Sequence, residues 1–541
     1  MISNGKSFFE GVRIVQSSIT LPTPIQETFR VLGLRSNSAS VQVLAMAMAS
    51  PFEPIRLGAL QTLIQRGGEA EMAAILERID YCNDAELPLL IKQVPLLMAP
   101  IEAGLASRDP LARQRSLCAI GKLQIASQFH HLVNAAQSPD DPQQIVAAEL
   151  LVGLALKYGF DARHSSPQGN AANRAQLLSV LWQSMLKFNE HKILQIFDAW
   201  LCAAHWDDQA FKNLLTPVRG EPICKVAMRQ LKVSTRVQIV ELLAGVLWSQ
   251  GPSPEALQAL GDRTDFLIVT RLAELVIQFG ITPCVSKNLR ANIPILCLDR
   301  FDFSSDAFPL AHRCAMLQLL SNACSSPDKV LDGVSHLLRT KDPAVEQACS
   351  IALRSLRSLK PEIVVMVLSD CFDGPGMNTD EPPPWKANLR SALERLIEQY
   401  PHQPPTIRSS IEYAFADFRC EELLKHLDEW PDAHLCAYAK MVTISETTFV
   451  QFIERDAESQ SLVKRLRAIH AIRFLGVANG LIDVAIEALQ DKSEKVRIEA
   501  IHAIATGHSR EDAIEILRPL VEDDDQTVQT AAKFALSRLE S

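Results

Sequence analysis

Apolar residues at the C-terminal end of the chain fall at helical intervals. Val496, Ala500, Ala503, Ile504 and Gly507 follow i, i+4, i+7, i+8 and i+11, an apolar stripe along one side of a helix, with Arg497 and Glu499 off it. The stripe recurs. Ala468-Ile469-His470-Ala471-Ile472 returns as Ala500-Ile501-His502-Ala503-Ile504, an offset of 32 residues, and the same step again reaches Ala532 to Leu536. Asp491 and Asp523 share that offset, as do Val496 and Val528. Gly507 is placed to stop its helix in a left-handed turn, and shorter helices are predicted over Asp483 to Leu489 and Asp512 to Leu520. The acidic runs Asp491–Glu494 and Glu522–Asp525 suit the positive N-terminus of the helix that follows each. Each repeat is thus a pair of antiparallel helices with one face too apolar to leave wet, so the pairs must stack.

Worn copies lie upstream. Ile55-Arg56 is followed by Ala59, Leu60, Leu63 and Gly67, nearly the ladder of Val496 to Gly507. Asp109-Pro110 precedes Ala112-Arg113, Ser116-Leu117 and Ala119-Ile120, and Asp342-Pro343 precedes Val345, Cys349, Ala352 and Leu353. Weaker copies centre on Ile145–Leu154, Arg236–Leu243 and Arg313–Leu320. Two stretches interrupt the pattern. A polar loop is predicted at 161–173, after a helix ending near Tyr158-Gly159, and a Pro/Gly-rich loop at 371–385, carrying Gly374-Pro375-Gly376 and Pro382-Pro383-Pro384. The expected order is N-terminal helical repeats over 1–160, degenerate repeats over 174–370 and C-terminal repeats over 386–541, with another break at Pro401 to Pro405.

The turn Asp, the Val-Arg pair and the small and aliphatic residues at four- and three-residue steps resemble the HEAT-repeat family, in particular the short bacterial variety also seen in phycobilisome lyase-like proteins. Asp491 with Val496-Arg497 and Ala500 fits best, whereas Asp342-Pro343 with Val345 has Glu346 where Arg is expected. The Trp, Gly and Tyr signature of tetratricopeptide repeats and the T-P-L-H-like turn of ankyrin repeats do not recur. The resemblance implies an all-α, right-handed α-solenoid of stacked antiparallel helix pairs, on the order of a dozen units of about 32 to 45 residues. It also implies a non-catalytic scaffold that holds a protein partner along a concave helical surface.

Composition agrees with helices packed on helices: 47% of the 541 residues are hydrophobic but only 6% are aromatic. The net charge of -9 is unevenly spread, with Lys+Arg against Asp+Glu at 13 and 14 over 1–160, 22 and 20 over 161–370, and 19 and 29 over 371–541. An acidic last third is a poor match to nucleic acid, so that class is disfavoured. The twelve cysteines include no C-x-x-C pair, which predicts free thiols in a reducing cytoplasm. Met1 to Ser18 has no apolar core of signal-peptide length, and the most apolar stretch, Leu87 to Ala106, holds Lys92, Glu102 and three prolines, so no membrane span is expected.

Chemistry-bearing motifs are scarce, and neither a catalytic group, a cofactor nor a metal is expected. Gly5-Lys6-Ser7 lacks the upstream glycine and strand of a phosphate-binding loop. None of the thirteen histidines is followed by Glu, which removes both the iron-ligand pairs of the HEAT-like deoxyhypusine hydroxylases and the H-E-x-x-H zinc motif. Cys420, His426, His434 and Cys436 are close in sequence but lack zinc-finger spacing, and no G-x-S-x-G elbow occurs. The candidate anion or partner surface is basic: Lys225, Arg229, Lys232 and Arg236 are spaced four, three and four, with Trp200 and Trp206 just before them and Ser234-Thr235 as a helix cap that starts a new helix at Arg236. The alternatives to a scaffold are a tetrapyrrole lyase or chaperone of the phycobilisome type, and nucleic-acid binding through this basic face.

The stripe makes one stability prediction. Ala500→Asp puts an unpaired charge into the helix interface and lowers C-terminal stability by about 3–5 kcal/mol; an unchanged thermal unfolding curve would contradict the stripe.

Overall fold

The computed structural model describes residues 23–35, 37–164, 170–215, 222–290, 295–323, 327–340, 342–369, 384–476, 480–507 and 509–540. Among them every regular element is a helix and none is a strand. The chain forms two units, Met1–Leu243 and Ala244–Ser541, each built as an α-solenoid in which helices pack side by side in two layers.

In the second unit one layer is a series of helices, each packed on the next: Phe266–Phe279, Leu310–Asn322, Pro343–Ser355, Pro405–Ala414, Asp432–Ser445, Leu462–Leu475, Glu494–Gly507 and Gln526–Glu540. The last three begin 32 residues apart, at 462, 494 and 526, as the sequence repeat requires. The stripe is the core: Val496, Ala500, Ile501, Ala503 and Ile504 are buried, as are Ala468, Ile469, Ala471 and Ile472 one repeat earlier. Short helices at Ile482–Ala488 and Arg510–Leu517 form the other layer.

The repeat's arginine explains why the turns hold their shape. Arg465 donates to both carboxylate oxygens of Asp491, at 2.8 and 3.2 Å, and to the Ser459 carbonyl at 3.0 Å. One repeat later Arg497 donates to one carboxylate oxygen of Asp523, at 3.1 Å, and to the Asp491 carbonyl at 2.8 Å. Gln529, a further 32 residues on, keeps only the carbonyl contact, to Asp523 at 2.8 Å. Each aspartate also accepts from the backbone two residues ahead, Asp491 from Ser493 and Asp523 from Asp525. One arginine thus ties the turn before its own helix to the turn before the next.

The first unit carries the same device. Arg113 donates to Asp141 at 2.6 Å, and Asp141 accepts from the Gln143 N–H. Arg56 donates to the buried Glu86 at 2.8 Å and to the Ser50 carbonyl at 3.0 Å, six residues before it, as Ser459 is before Arg465. The Asp-Pro pairs serve as helix starts: Asp109 accepts from Leu111 and Ala112, and in the second unit Asp342 accepts from Ala344. Helices Pro110–Leu123, Gln144–His164 and Leu194–Ala203 pack in succession, backed by Phe129–Gln137 and Ala171–Met185.

The expected helix end at Gly159 is corrected: the helix runs on to His164, and the next begins at Ala171. Gly159 marks a crossing, where a Cβ would run into the carbonyl oxygen of Cys202 on the neighbouring helix. The last turn is then held by the buried Arg163, which donates to the carbonyls of Cys202 and Gln238, the latter at 2.7 Å, and lies 3.6 Å from Glu241. His164 completes the cluster with Nε2 2.7 Å from Glu241. Of the two predicted loops, 165–169 and 371–383 lie outside the described residues, as does Gly5-Lys6-Ser7. Helix Pro384–Gln399 packs on both Pro327–Leu337 and Pro361–Leu368, burying Leu389, Ala392, Leu393 and Leu396, and Arg395 reaches Asp332 at 2.8 Å.

Two predictions rest on these contacts. Gly159→Ala destabilises by about 1–3 kcal/mol through overpacking, whereas Gly153→Ala in the same helix, where a Cβ meets open space, stabilises by up to about 1 kcal/mol through propensity; denaturant midpoints of the two variants check the opposite signs. Burial pushes the Asp491 carboxyl up, but Arg465 and the Ser493 N–H outweigh it and leave it below its ordinary value. Its contribution to stability is present above the unfolded-state pKa and is lost as pH falls through the lower folded one. Arg465→Ala therefore costs about 1–3 kcal/mol at neutral pH, and the deficit shrinks in acid when the two proteins are unfolded side by side between neutrality and pH 2.

Candidate functional site

The basic row is split by the fold. Lys225, Arg229 and Lys232 lie on helix Pro222–Val233, exposed, while Ile223, Ala227 and Leu231 of the same helix are buried. At 100° per residue the two sets point to opposite sides, so the cations form a solvated face. Arg236 is not on that helix. Its N–H donates to Ser234 Oγ at 3.2 Å and its carbonyl accepts from Ile239 and Val240, which makes it the residue that opens helix Val237–Gly245. Its guanidinium donates to Asp198 Oδ2 at 3.0 Å. Burial pushes the Asp198 carboxyl above its ordinary value, with Arg236 opposing the rise.

The two tryptophans require a correction. Trp200 is 1% exposed and Trp206 5%. Trp200 packs against Trp182 with ring centroids 5.8 Å apart, and Trp206 lies against His205 at 4.2 Å. Both are core side chains that brace the end of helix Leu194–Ala203, and neither offers a face on which a base could stack. Their spacing of six residues fits neither side of a helix, because the helix ends at Ala203 between them and the turn brings Trp206 back inward.

Along helix Gln144–His164 lies a groove of about 560 Å³ that the sequence did not single out. Its walls are Ile145, Val152 and Leu156 on helix Gln144–His164 and Ile193 ahead of helix Leu194–Ala203, with Glu149 and Arg236 supplying charge. Ile145 is 71% exposed although its spacing marks it as a repeat position. The only cue was Arg236 itself, and its reach to Asp198, 38 residues earlier, is a tertiary fact.

The other polar candidates have structural places. His191 is buried, with Nδ1 accepting from the Ile193 N–H at 3.0 Å and Nε2 3.0 Å from the Ser184 carbonyl. His470 and His502 are half-buried at equivalent positions beside the stripe. Cys420 is buried and Cys436 exposed, and no group of three or more His, Cys, Asp or Glu among the described residues is arranged to hold a metal ion. His426 and His434, however, line one pocket of the second unit. Burial pushes the thiols of Cys82 and Cys202 up to about 11 and those of Cys118 and Cys420 up to about 12, so these are protonated, unreactive groups at neutral pH. No helix among the described residues is long and apolar enough to cross a membrane.

No curated protein matches the chain in sequence. Solved structures of a karyopherin do align with it at low identity. Kap121p bound to RanGTP is 14% identical with a TM-score of 0.25, the alignment covering 95% of this chain and 53% of that one. Kap121p bound to the extreme C-terminus of the protein phosphatase Cdc14p is 14% identical with a TM-score of 0.26, at 95% and 53% coverage. The chain thus spans about half the length of those proteins. The family model for HEAT repeats matches residues 449–540, the segment that holds the three helices in 32-residue register and the bridges Arg465–Asp491 and Arg497–Asp523. Residues 449–540 belong to the HEAT-repeat family.

Proposed function

We propose that this protein is a non-catalytic interaction scaffold whose first unit holds a protein partner in the groove along helix Gln144–His164. The observation that carries the reading is the groove itself: a cleft walled by aliphatic side chains, with Ile145 standing largely in solvent and a charged rim of Glu149 and Arg236. An apolar centre with a polar edge is the composition of a protein-binding patch. Lys225, Arg229 and Lys232, exposed on helix Pro222–Val233, add positive charge to the same unit and would steer an acidic partner segment rather than supply most of the affinity. HEAT repeats at the other end of the chain support the same reading, since stacked helix pairs present long surfaces on rigid elements. Nucleic-acid binding loses its stacking platforms with the burial of both tryptophans.

Affinity purification of the full chain from its native cells, read by quantitative mass spectrometry, tests this. Ile145→Glu is expected to lower recovery of a specific partner by about tenfold or more, as removal of a central apolar anchor does, with unchanged thermal unfolding. Equal recovery of every partner by the parent, by Ile145→Glu and by Lys225→Glu/Arg229→Glu would overturn the groove assignment.

A further inference from the structure

The second unit holds a pocket of different chemistry. A cavity of about 450 Å³ opens among helices Pro361–Leu368, Cys420–Lys425 and Asp432–Ser445. Its aromatic wall is continuous: the imidazole of His426 stacks on the indole of Trp430 with centroids 4.2 Å apart and planes within 4°, and Trp430 meets Tyr438 at 5.4 Å. Tyr438 is fixed from behind, against Phe418 at 5.0 Å and through its hydroxyl, which donates to the Asp417 carbonyl and accepts from the Arg419 N–H. Three carboxylates stand around this wall, Glu362, Asp417 and Glu422, and no Lys or Arg among the described residues lines the pocket.

The charges are only partly spent. Lys425 lies 2.7 Å from one oxygen of Glu422, leaving the other 4.0 Å from His426 Nε2, and His426 Nδ1 is 2.9 Å from Glu429. Glu362 and Asp417 are exposed and enter no ion pair among the described residues. Trp430 is half-buried and is the ring that a cation can approach, with the buried Tyr438 behind it, and carboxylates beside it bind a planar guanidinium through paired hydrogen bonds as they cannot bind a compact ammonium. We propose that this pocket receives an arginine side chain from a basic segment of a protein partner. The inference rests on the scaffold reading and adds the partner's chemistry: an acidic, aromatic-walled pocket in the second unit, apart from the aliphatic groove of the first. The excess of acidic residues over 371–541, 29 against 19 basic, favours approach of such a segment.

Fluorescence anisotropy at physiological salt, with the full chain and a fluorescein-labelled (Gly-Arg)6 peptide, tests it against the citrulline peptide, which keeps the shape and loses the charge. The arginine peptide is expected to bind, and the citrulline and lysine analogues to bind more weakly, the former by about tenfold or more. Glu362→Gln/Asp417→Asn, both at exposed positions, is expected to weaken binding about tenfold with the fold intact, and Trp430→Leu to do so as well. Glu522→Gln/Asp524→Asn, which removes two exposed charges elsewhere in the acidic C-terminal third, should leave binding unchanged. No binding of the arginine peptide, equal binding of the citrulline peptide, or equal loss from the two carboxylate variants would overturn the assignment. The scaffold reading fails separately, if Ile145→Glu changes no partner while the arginine peptide still binds in this pocket.

Discussion

Every helix of the stacked layer has to be covered on more than one side, and only its neighbours in the stack can do it. Helix Glu494–Gly507 shows the constraint. Val496, Ala500, Ile501, Ala503 and Ile504 are buried because the preceding and following helices of the stack lie against it and a shorter helix closes the second layer. The alanines let the backbones approach, and the aliphatic residues fill what remains. No single pair could keep these side chains dry, so stability passes from one repeat to the next.

The arginine bridges give that apolar stack its register. Sliding one helix pair against the next would cost little in hydrophobic area, but it would pull Arg465 away from Asp491 and Arg497 away from Asp523, leaving buried and half-buried charges unpaired. The bridge also joins backbone carbonyls and N–H groups at the turns, where helices leave such groups without partners. The worn copies in the first unit keep the bridge, as Arg56 with Glu86 and Arg113 with Asp141, even where the apolar spacing has drifted. Gln529, one repeat after Arg497, lacks the charge and keeps the carbonyl contact.

The two candidate surfaces differ because their local sequences break the repeat in different ways. In the first unit, the close helix crossing at Gly159 and the Arg163 cluster seat helix Gln144–His164 against Leu194–Ala203, and the groove opens where their N-terminal ends come together. In the second unit, short helices around 417–438 bring Trp430, Tyr438 and His426 to one wall with carboxylates at its edge. An aliphatic groove and an aromatic, acidic pocket select partners of different chemistry, and both stand on helices whose positions the stack already holds.

Periodicity alone determined the helical class, the paired repeat and its 32-residue step, because these depend on spacing along a single helix and on residues within a few positions of each other. The chain could not disclose by itself that the helix past Gly159 continues to His164, because a glycine at a helix crossing and a glycine at a helix end look alike until the neighbouring Cys202 carbonyl is in place. Nor could it separate Trp200 and Trp206 from surface aromatics, since burial depends on helices tens of residues away. The same holds for His426 and His434, close in sequence without a motif spacing, which line a pocket that helix Pro361–Leu368 helps to close. Short-range forces wrote the helices into the residue order; which faces stay open was decided only by packing between distant segments.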